Sequence, residues 1–355
     1  MVSLDVHPVL TGVTASLHVS ALNTFNRYDG TDLAFCYLRT THHRFHPTLK
    51  GLHMSTRRIA KLFKSRPTVE GAGVHLKRAF GYSQVPQFDP FLMLDDFHTA
   101  NPAEYLAGFP WHPHRGIETI TYVLDGLVEH SDSMGNKWVI GAGDVQWMTA
   151  GSGIIHQEMP QKSPTGIMWG FQFWANLPAD QKMMAPRYRD VKAADIPEIA
   201  LESGVRVKIV SGTVAGVQGP VRDIVIDPEM LDVSIPAGAS FRHTVKEGHT
   251  AVAYVLDGEG HFDDRRDAFS YEMVGSGWMD LDRRCACGPE TVILYERKGS
   301  DVVVEAGDKP VRFLFISGKP LGEPVAWYGP IVMNTQDELR IAFEEYQNGT
   351  FIKNN

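Results

Sequence analysis

The chain has 355 residues, with 34 Lys and Arg against 42 Asp and Glu, a formal net charge of -8 at pH 7. That balance excludes a basic field for nucleic acid, and no window reaches the roughly 18 apolar residues that a membrane-spanning helix needs. With 43% hydrophobic and 21% charged residues, the composition is that of a globular protein with room for two domains, each burying a core.

In chain order, residues 1–53 come first. They hold seven threonines and six of the fifteen histidines with no sustained strand or helix period, and are expected to be a disordered or non-native extension. The cluster His42, His43 and His46 matches a metal tract only in composition. Met54-Ser55-Thr56-Arg57-Arg58 reads as an ordinary protein start, so translation is expected to begin at Met54, with a Thr-rich, acid-poor targeting peptide as the alternative. Cysteine is sparse. Cys36, Cys285 and Cys287 cannot build a disulfide framework, and Cys285-Ala-Cys287 lacks the second pair of a zinc site, which points to a reducing cytoplasm.

From about residue 74 short apolar runs alternate with Gly, Pro, Asp and Asn. Strands are expected over Ile117 to Leu124, Lys137 to Ile140, Val145 to Met148 and Ile167 to Trp174, with Met134-Gly135-Asn136 as a hairpin turn. Strands without helical spacers argue for an antiparallel sandwich or barrel. Tyr122-Val123-Leu124-Asp125-Gly126 recurs verbatim as Tyr254-Val255-Leu256-Asp257-Gly258, 132 residues on, each copy reading as a strand entering an Asp-Gly turn. A repeat at a domain-sized offset implies duplication and two barrels of like design.

The expected organisation is an amino-terminal barrel over 54–177, a proline-bearing connection over 178–204, a second barrel over 205–330 and a carboxy-terminal helix within 331–355. Thr335-Gln336-Asp337-Glu338 is a capping box, and Leu339, Ala342, Phe343 and Tyr346 follow with helical spacing. Asn348-Gly349-Thr350 fits a glycosylation acceptor by pattern and reads as a turn.

Two short motifs carry the chemistry: His112-Pro113-His114 and His156-Gln157-Glu158. Residues two apart on a strand share a face, so if the two strands pair or face each other, three imidazoles and a carboxylate converge on one point. Such a set suits iron, zinc, copper or nickel, whereas calcium or magnesium would want an oxygen-rich cage. Four protein ligands would close a tetrahedral zinc site, or leave two positions open on an octahedral iron.

The runs DPFLMLDDF (89–97), FPWHPHRGIET (109–119), GDVQWMTAGSGIIHQEMP (143–160) and GPIVMNT (329–335) resemble the pirin family of bicupins. The likeness spans about residues 56 to 350, and its most specific part runs from Asp144 to Pro160. It implies two stacked cupin barrels, all-β but for a short carboxy-terminal helix. It also implies a metal held in the first barrel by His112, His114, His156 and Glu158. That metal would be iron(II), with zinc, nickel, copper and manganese as alternatives. Relatives of this kind open a flavonol such as quercetin with O₂ and release carbon monoxide, or act as regulators that bind transcription factors or metabolic enzymes.

The general cupin pattern places a carboxylate ligand shortly after His-x-His. Glu118 lies one position short of it, where Thr119 stands, and an odd shift turns a side chain to the other face. Glu158 is therefore expected to supply the carboxylate and to accept the substrate's hydroxyl proton. Glu118 and Arg115 are expected to stand behind the ligands, as an ion pair with each other or, for Glu118, as an acceptor. Phe91, Met93, Trp147, Met168, Phe171 and Phe173 are candidates to line a pocket for a flat aromatic, about half of them expected to prove core instead. The second barrel lacks the motif. His243 and His249 stand apart, and Trp278-Met279-Asp280-Leu281-Asp282 with Arg283-Arg284 fills the place of a second His-x-Glu. The expectation is a cytoplasmic iron-dependent flavonol dioxygenase. A non-enzymatic regulator with a protein partner is the alternative, and a cupin isomerase or sugar-binding module is a weaker third.

Overall fold

The β-branched and aromatic runs form strands close to their expected places: Ile117–Asp125, Lys137–Ile140, Val145–Thr149 and Met168–Asn176. The computed structural model describes residues 55–274 and 285–353. The expectations for residues 1–53, Met54, Cys36 and the stretch from Trp278 to Arg284 lie outside the described residues. No helix among those described is long and apolar enough to cross a membrane.

Two β-barrels lie side by side, and the described residues are all-β apart from one α-helix and short 3-10 turns. In the first, a seven-stranded sheet runs in the order Arg187–Val191, Val145–Thr149, Ile117–Asp125, Met168–Asn176, Phe91–Thr99, Val74–Phe80 and Arg66–Glu70. A four-stranded sheet runs Phe109–His114, Ile154–Gln161, Leu127–Asp132 and Lys137–Ile140. In the second barrel, the long strands Thr250–His261 and Asp301–Gly318 pair at the centre of a ten-stranded sheet. A shared apolar layer joins the barrels: Leu94, Ile120, Tyr122, Phe171 and Phe173 of the first pack with Met230, Val252, Tyr254, Leu314 and Ile316 of the second.

The barrel limits differ from those expected, because strand pairing over long range ignores chain order. Ile59–Lys64, expected in the first barrel, pairs antiparallel with Thr291–Tyr295 in the second. The connection over 178–204 is not a plain linker: Arg187–Val191 is an edge strand of the first barrel and Glu198–Ala200 one of the second. The second Asp-Gly also departs from expectation. Asp257 and Gly258 lie inside the twelve-residue strand Thr250–His261, at a register shift rather than a turn. Gly258 has φ +74°, and a Cβ there would stand 1.9 Å from the Pro310 carbonyl oxygen.

The carboxy-terminal segment returns to the first barrel. Ala326–Tyr328 and Ile331–Met333 form a hairpin, and Val332 N–H donates to the Arg115 carbonyl at 3.1 Å. The helix Gln336–Gln347 starts on its capping box, with Glu338 N–H donating to Thr335 Oγ1 at 3.2 Å and Thr335 N–H to Glu338 Oε2 at 2.9 Å. Leu339 and Ala342 bury against Ala326, Ile331, Met333 and Phe351. Lys182, almost fully buried, ties the closure down by donating to the carbonyls of Gly116 and Val332 and to Asn176 Oδ1.

Candidate metal centre

Antiparallel pairing of Phe109–His114 with Ile154–Gln161 sets His156 opposite His112 and Ile154 opposite His114. A register shift follows before Glu158, which faces Phe109 on one side and His130 of Leu127–Asp132 on the other. His112 Nε2 lies 3.1 Å from His114 Nε2 and 2.9 Å from His156 Nε2. His114 and His156 are buried and His112 is half-buried. Glu158 belongs to a second, overlapping group with His156 and His130. Its Oε1 accepts from Thr121 Oγ1 at 2.7 Å, across the barrel.

The donor set fits a metal ion on hydrogen-bonding grounds. His112 Nδ1 faces the Pro110 carbonyl at 2.8 Å and His114 Nδ1 faces the Pro330 carbonyl at 2.9 Å. A carbonyl only accepts, so both Nδ1 atoms carry hydrogen and both Nε2 atoms present bare lone pairs. Two lone pairs 3.1 Å apart, with His156 Nε2 beside them, form a donor set able to hold a cation. A shared proton is disfavoured, since burial pushes His112 below the usual histidine range and His114 and His156 well below it. The fixed tautomers are those in which metal-ligating imidazoles are held by an outer acceptor.

His130 and Asp132 form a third pair spaced two apart that the sequence reading passed over, although the same His-x-acid signal marks it. His130 is fully buried, with Nε2 3.2 Å from Asp132 Oδ2 and Nδ1 2.9 Å from Gln146 Nε2. Asp132 also accepts from the backbone of Met134 and Asn136, so the expected hairpin turn anchors this pair.

Glu118 points away from the histidines. Its carboxylate accepts from Thr149 Oγ1 at 2.7 Å and Trp147 Nε1 at 3.2 Å, with Arg187 at 3.9 Å. It does not meet Arg115, whose guanidinium instead donates to the carbonyls of Ser152 and Phe351 and lies 2.8 Å from Glu345. Arg115 thus secures the carboxy-terminal helix rather than a ligand. In the second barrel His243 is satisfied by Glu229 at 3.2 Å, and among the described residues both candidate metal groups lie in the first barrel.

A cavity of about 800 Å³ opens on His112, His114 and Glu158. Of the six pocket candidates only Met93 lines it. Phe91, Trp147, Phe171 and Phe173 belong to the layer between the barrels, and Met168 packs with Leu76, Phe97 and Tyr105. The parity explains the miss: Gln172 and Trp174 of the same strand line the cavity, so Phe171 and Phe173 take the opposite face. Phe109, Trp174, Trp327 and Pro330 complete its apolar side, two of them from the returning carboxy-terminal segment.

Residues 73–175 match the Pirin family model and residues 230–352 the Pirin C-terminal cupin domain. A pirin-like protein of Caulobacter vibrioides is 42% identical over 300 residues, covering 84% of this chain and 100% of the relative. A Pseudomonas aeruginosa protein provisionally named a quercetin 2,3-dioxygenase is 39% identical, over 82% of this chain and 97% of its own. The crystal structure of quercetin 2,3-dioxygenase from Acinetobacter baumannii matches with a TM-score of 0.73 at 31% identity, covering 84% of this chain and 99% of that one. The chain belongs to the pirin family, with an amino-terminal pirin domain followed by a carboxy-terminal cupin domain.

Proposed function

We propose that the first barrel is a metal-dependent dioxygenase site that opens the ring of a flavonol such as quercetin with O₂ and releases carbon monoxide. The observation that carries this reading is the cavity of about 800 Å³ leading to His112, His114 and Glu158. It falls within the roughly 300–1,000 Å³ of small-molecule sites. A site sealed by large side chains would instead have disfavoured a flavonol. The Acinetobacter baumannii quercetin 2,3-dioxygenase named above is consistent with the same chemistry.

In this reading His112, His114, His156 and Glu158 hold the metal, taken as iron(II). A divalent metal there supplies Lewis acidity toward the 3-hydroxyl oxygen of the flavonol. Glu158 accepts the hydroxyl proton, and Thr121, 2.7 Å from its Oε1, keeps the carboxylate aimed across the barrel. Met93, Phe109, Trp174 and Trp327 sandwich the flat rings and exclude water from the reacting end. The cytoplasm, where cysteines stay reduced and iron(II) is available, is the compartment that suits it.

The test is direct. The full chain is loaded anaerobically with Fe(II), mixed with quercetin and O₂, and assayed for carbon monoxide and for loss of flavonol absorbance, beside His114→Ala. Carbon monoxide from the wild type alone supports the reading. Turnover no greater than that of His114→Ala sinks it, and absence of bound metal in the wild type removes the ligand assignment as well.

A further inference from the structure

One wall of the cavity is polar along a single line. Strand register sets Thr121 opposite Gln172, Gln172 opposite Asp95 and Asp95 opposite Arg78. Directly opposed residues share a face, so the row crosses four neighbouring strands, and Gln172, Asp95 and Arg78 line the chamber. Three strand spacings of about 4.8 Å place Arg78 roughly 14 Å from Thr121, about the span of three linked flat rings. The near end is Thr121, which holds Glu158. The far end is a charged group. Arg78 donates from Nε and Nη2 to Asp95 at 2.8 and 2.7 Å, and its Nη2 also lies 2.9 Å from Glu70 Oε1.

Nε and Nη2 of the guanidinium are therefore committed, and two carboxylates face one cation. Asp95 is only 2% exposed, so its charge is poorly screened by solvent. Each carboxylate has lone pairs that Arg78 does not use. Such an end wants hydrogen-bond donors and repels anions.

We propose that Glu70 and Asp95, fixed by Arg78, form a hydroxyl-recognition subsite at the Arg78 end of this polar row. It selects flat aromatic substrates whose far ring carries phenolic hydroxyls and rejects those whose far ring carries a carboxylate. The assignment rests on the flavonol reading above and names the specificity of that same site.

Isothermal titration calorimetry of the full chain, metal-free and iron-loaded, tests it with three probes: quercetin with its catechol ring, 3-hydroxyflavone with a bare phenyl ring, and the 4′-carboxylate of 3-hydroxyflavone. A charge-assisted hydrogen bond predicts that quercetin binds about tenfold tighter than 3-hydroxyflavone, with the carboxylate weakest. Glu70→Gln, at a side chain 42% exposed and so safe for folding, should shrink the quercetin preference to about threefold. Asp95→Asn, checked by circular dichroism, should shrink it too. During turnover Glu70→Gln should raise the KM for quercetin more than it lowers kcat. Equal binding of quercetin and 3-hydroxyflavone by the wild type, or a preference that survives Glu70→Gln, overturns the subsite while leaving the flavonol reading standing. Failure of both flavonols to bind overturns the two together.

Discussion

Tyr122 of the first barrel donates its hydroxyl proton to Asp232 of the second at 2.8 Å, and its sequence echo Tyr254 donates back to Asp96 of the first at 2.9 Å. The repeated pentapeptide thus forms a reciprocal bond across the layer that joins the barrels. Asp232 is further held by Arg312 at 2.9 and 2.6 Å, so loss of the tyrosine hydroxyl leaves the carboxylate paired. Tyr122→Phe is accordingly expected to cost only about 1–2 kcal/mol. Chemical denaturation of the two proteins side by side checks the value. A cost far above that range would mean the hydroxyl does more than bridge the barrels.

Asp96 makes stability depend on pH. Burial pushes its carboxyl up to about 7, outweighing the hydrogen bond from Tyr254 that favours the charged form. The unfolded chain titrates this group near the ordinary carboxylate value of about 3.9, so in between it is the folded protein that holds the extra proton. The contribution is full below the unfolded value and is lost as pH rises through about 7. Asp96→Asn should therefore flatten the decline in thermal midpoint between about pH 4 and about pH 7. The same slope in wild type and variant would remove Asp96 as its source.

Gly116 couples the returning carboxy-terminal segment to the metal centre. Its φ is +76°, and a Cβ there would stand 1.9 Å from the Val332 carbonyl oxygen. Val332 lies two residues past Pro330, whose carbonyl fixes His114. Gly116→Ala should push that segment outward, free the His114 ring and lower metal affinity about tenfold without touching a ligand. Competition against a chromophoric chelator reads the change. Unaltered affinity would show that the Pro330 contact is dispensable.

Phe173 and Trp174 are neighbours with opposite tasks. Phe173 faces the layer between the barrels, and Phe173→Ala is expected to cost about 3–5 kcal/mol of stability while flavonol affinity holds. Trp174 lines the cavity, and Trp174→Ala should weaken flavonol binding at a smaller cost in stability. Denaturation and titration of both variants separate the two faces. Weaker flavonol binding in Phe173→Ala than in Trp174→Ala would reverse the assignment.

Much of this protein is local and therefore legible in the chain. Spacing by two put His112 with His114 and His156 with Glu158 on common faces, and the capping box at Thr335 marked the start of the carboxy-terminal helix, because strand and helix periods are properties of neighbouring residues. The family motifs and the echo at Tyr254 announced two barrels. Tertiary structure alone decided which face of each strand meets what. Both faces of Met168–Asn176 are covered, one by the cavity wall and one by the second barrel, so apolar residues occur at both parities and alternation could not tell Trp174 from Phe173. The same holds for partners far apart in the chain. That Ile59–Lys64 joins the second barrel, that Pro330 orients His114, and that Thr121, Gln172, Asp95 and Arg78 form one row are facts of register between distant strands, which no local pattern encodes.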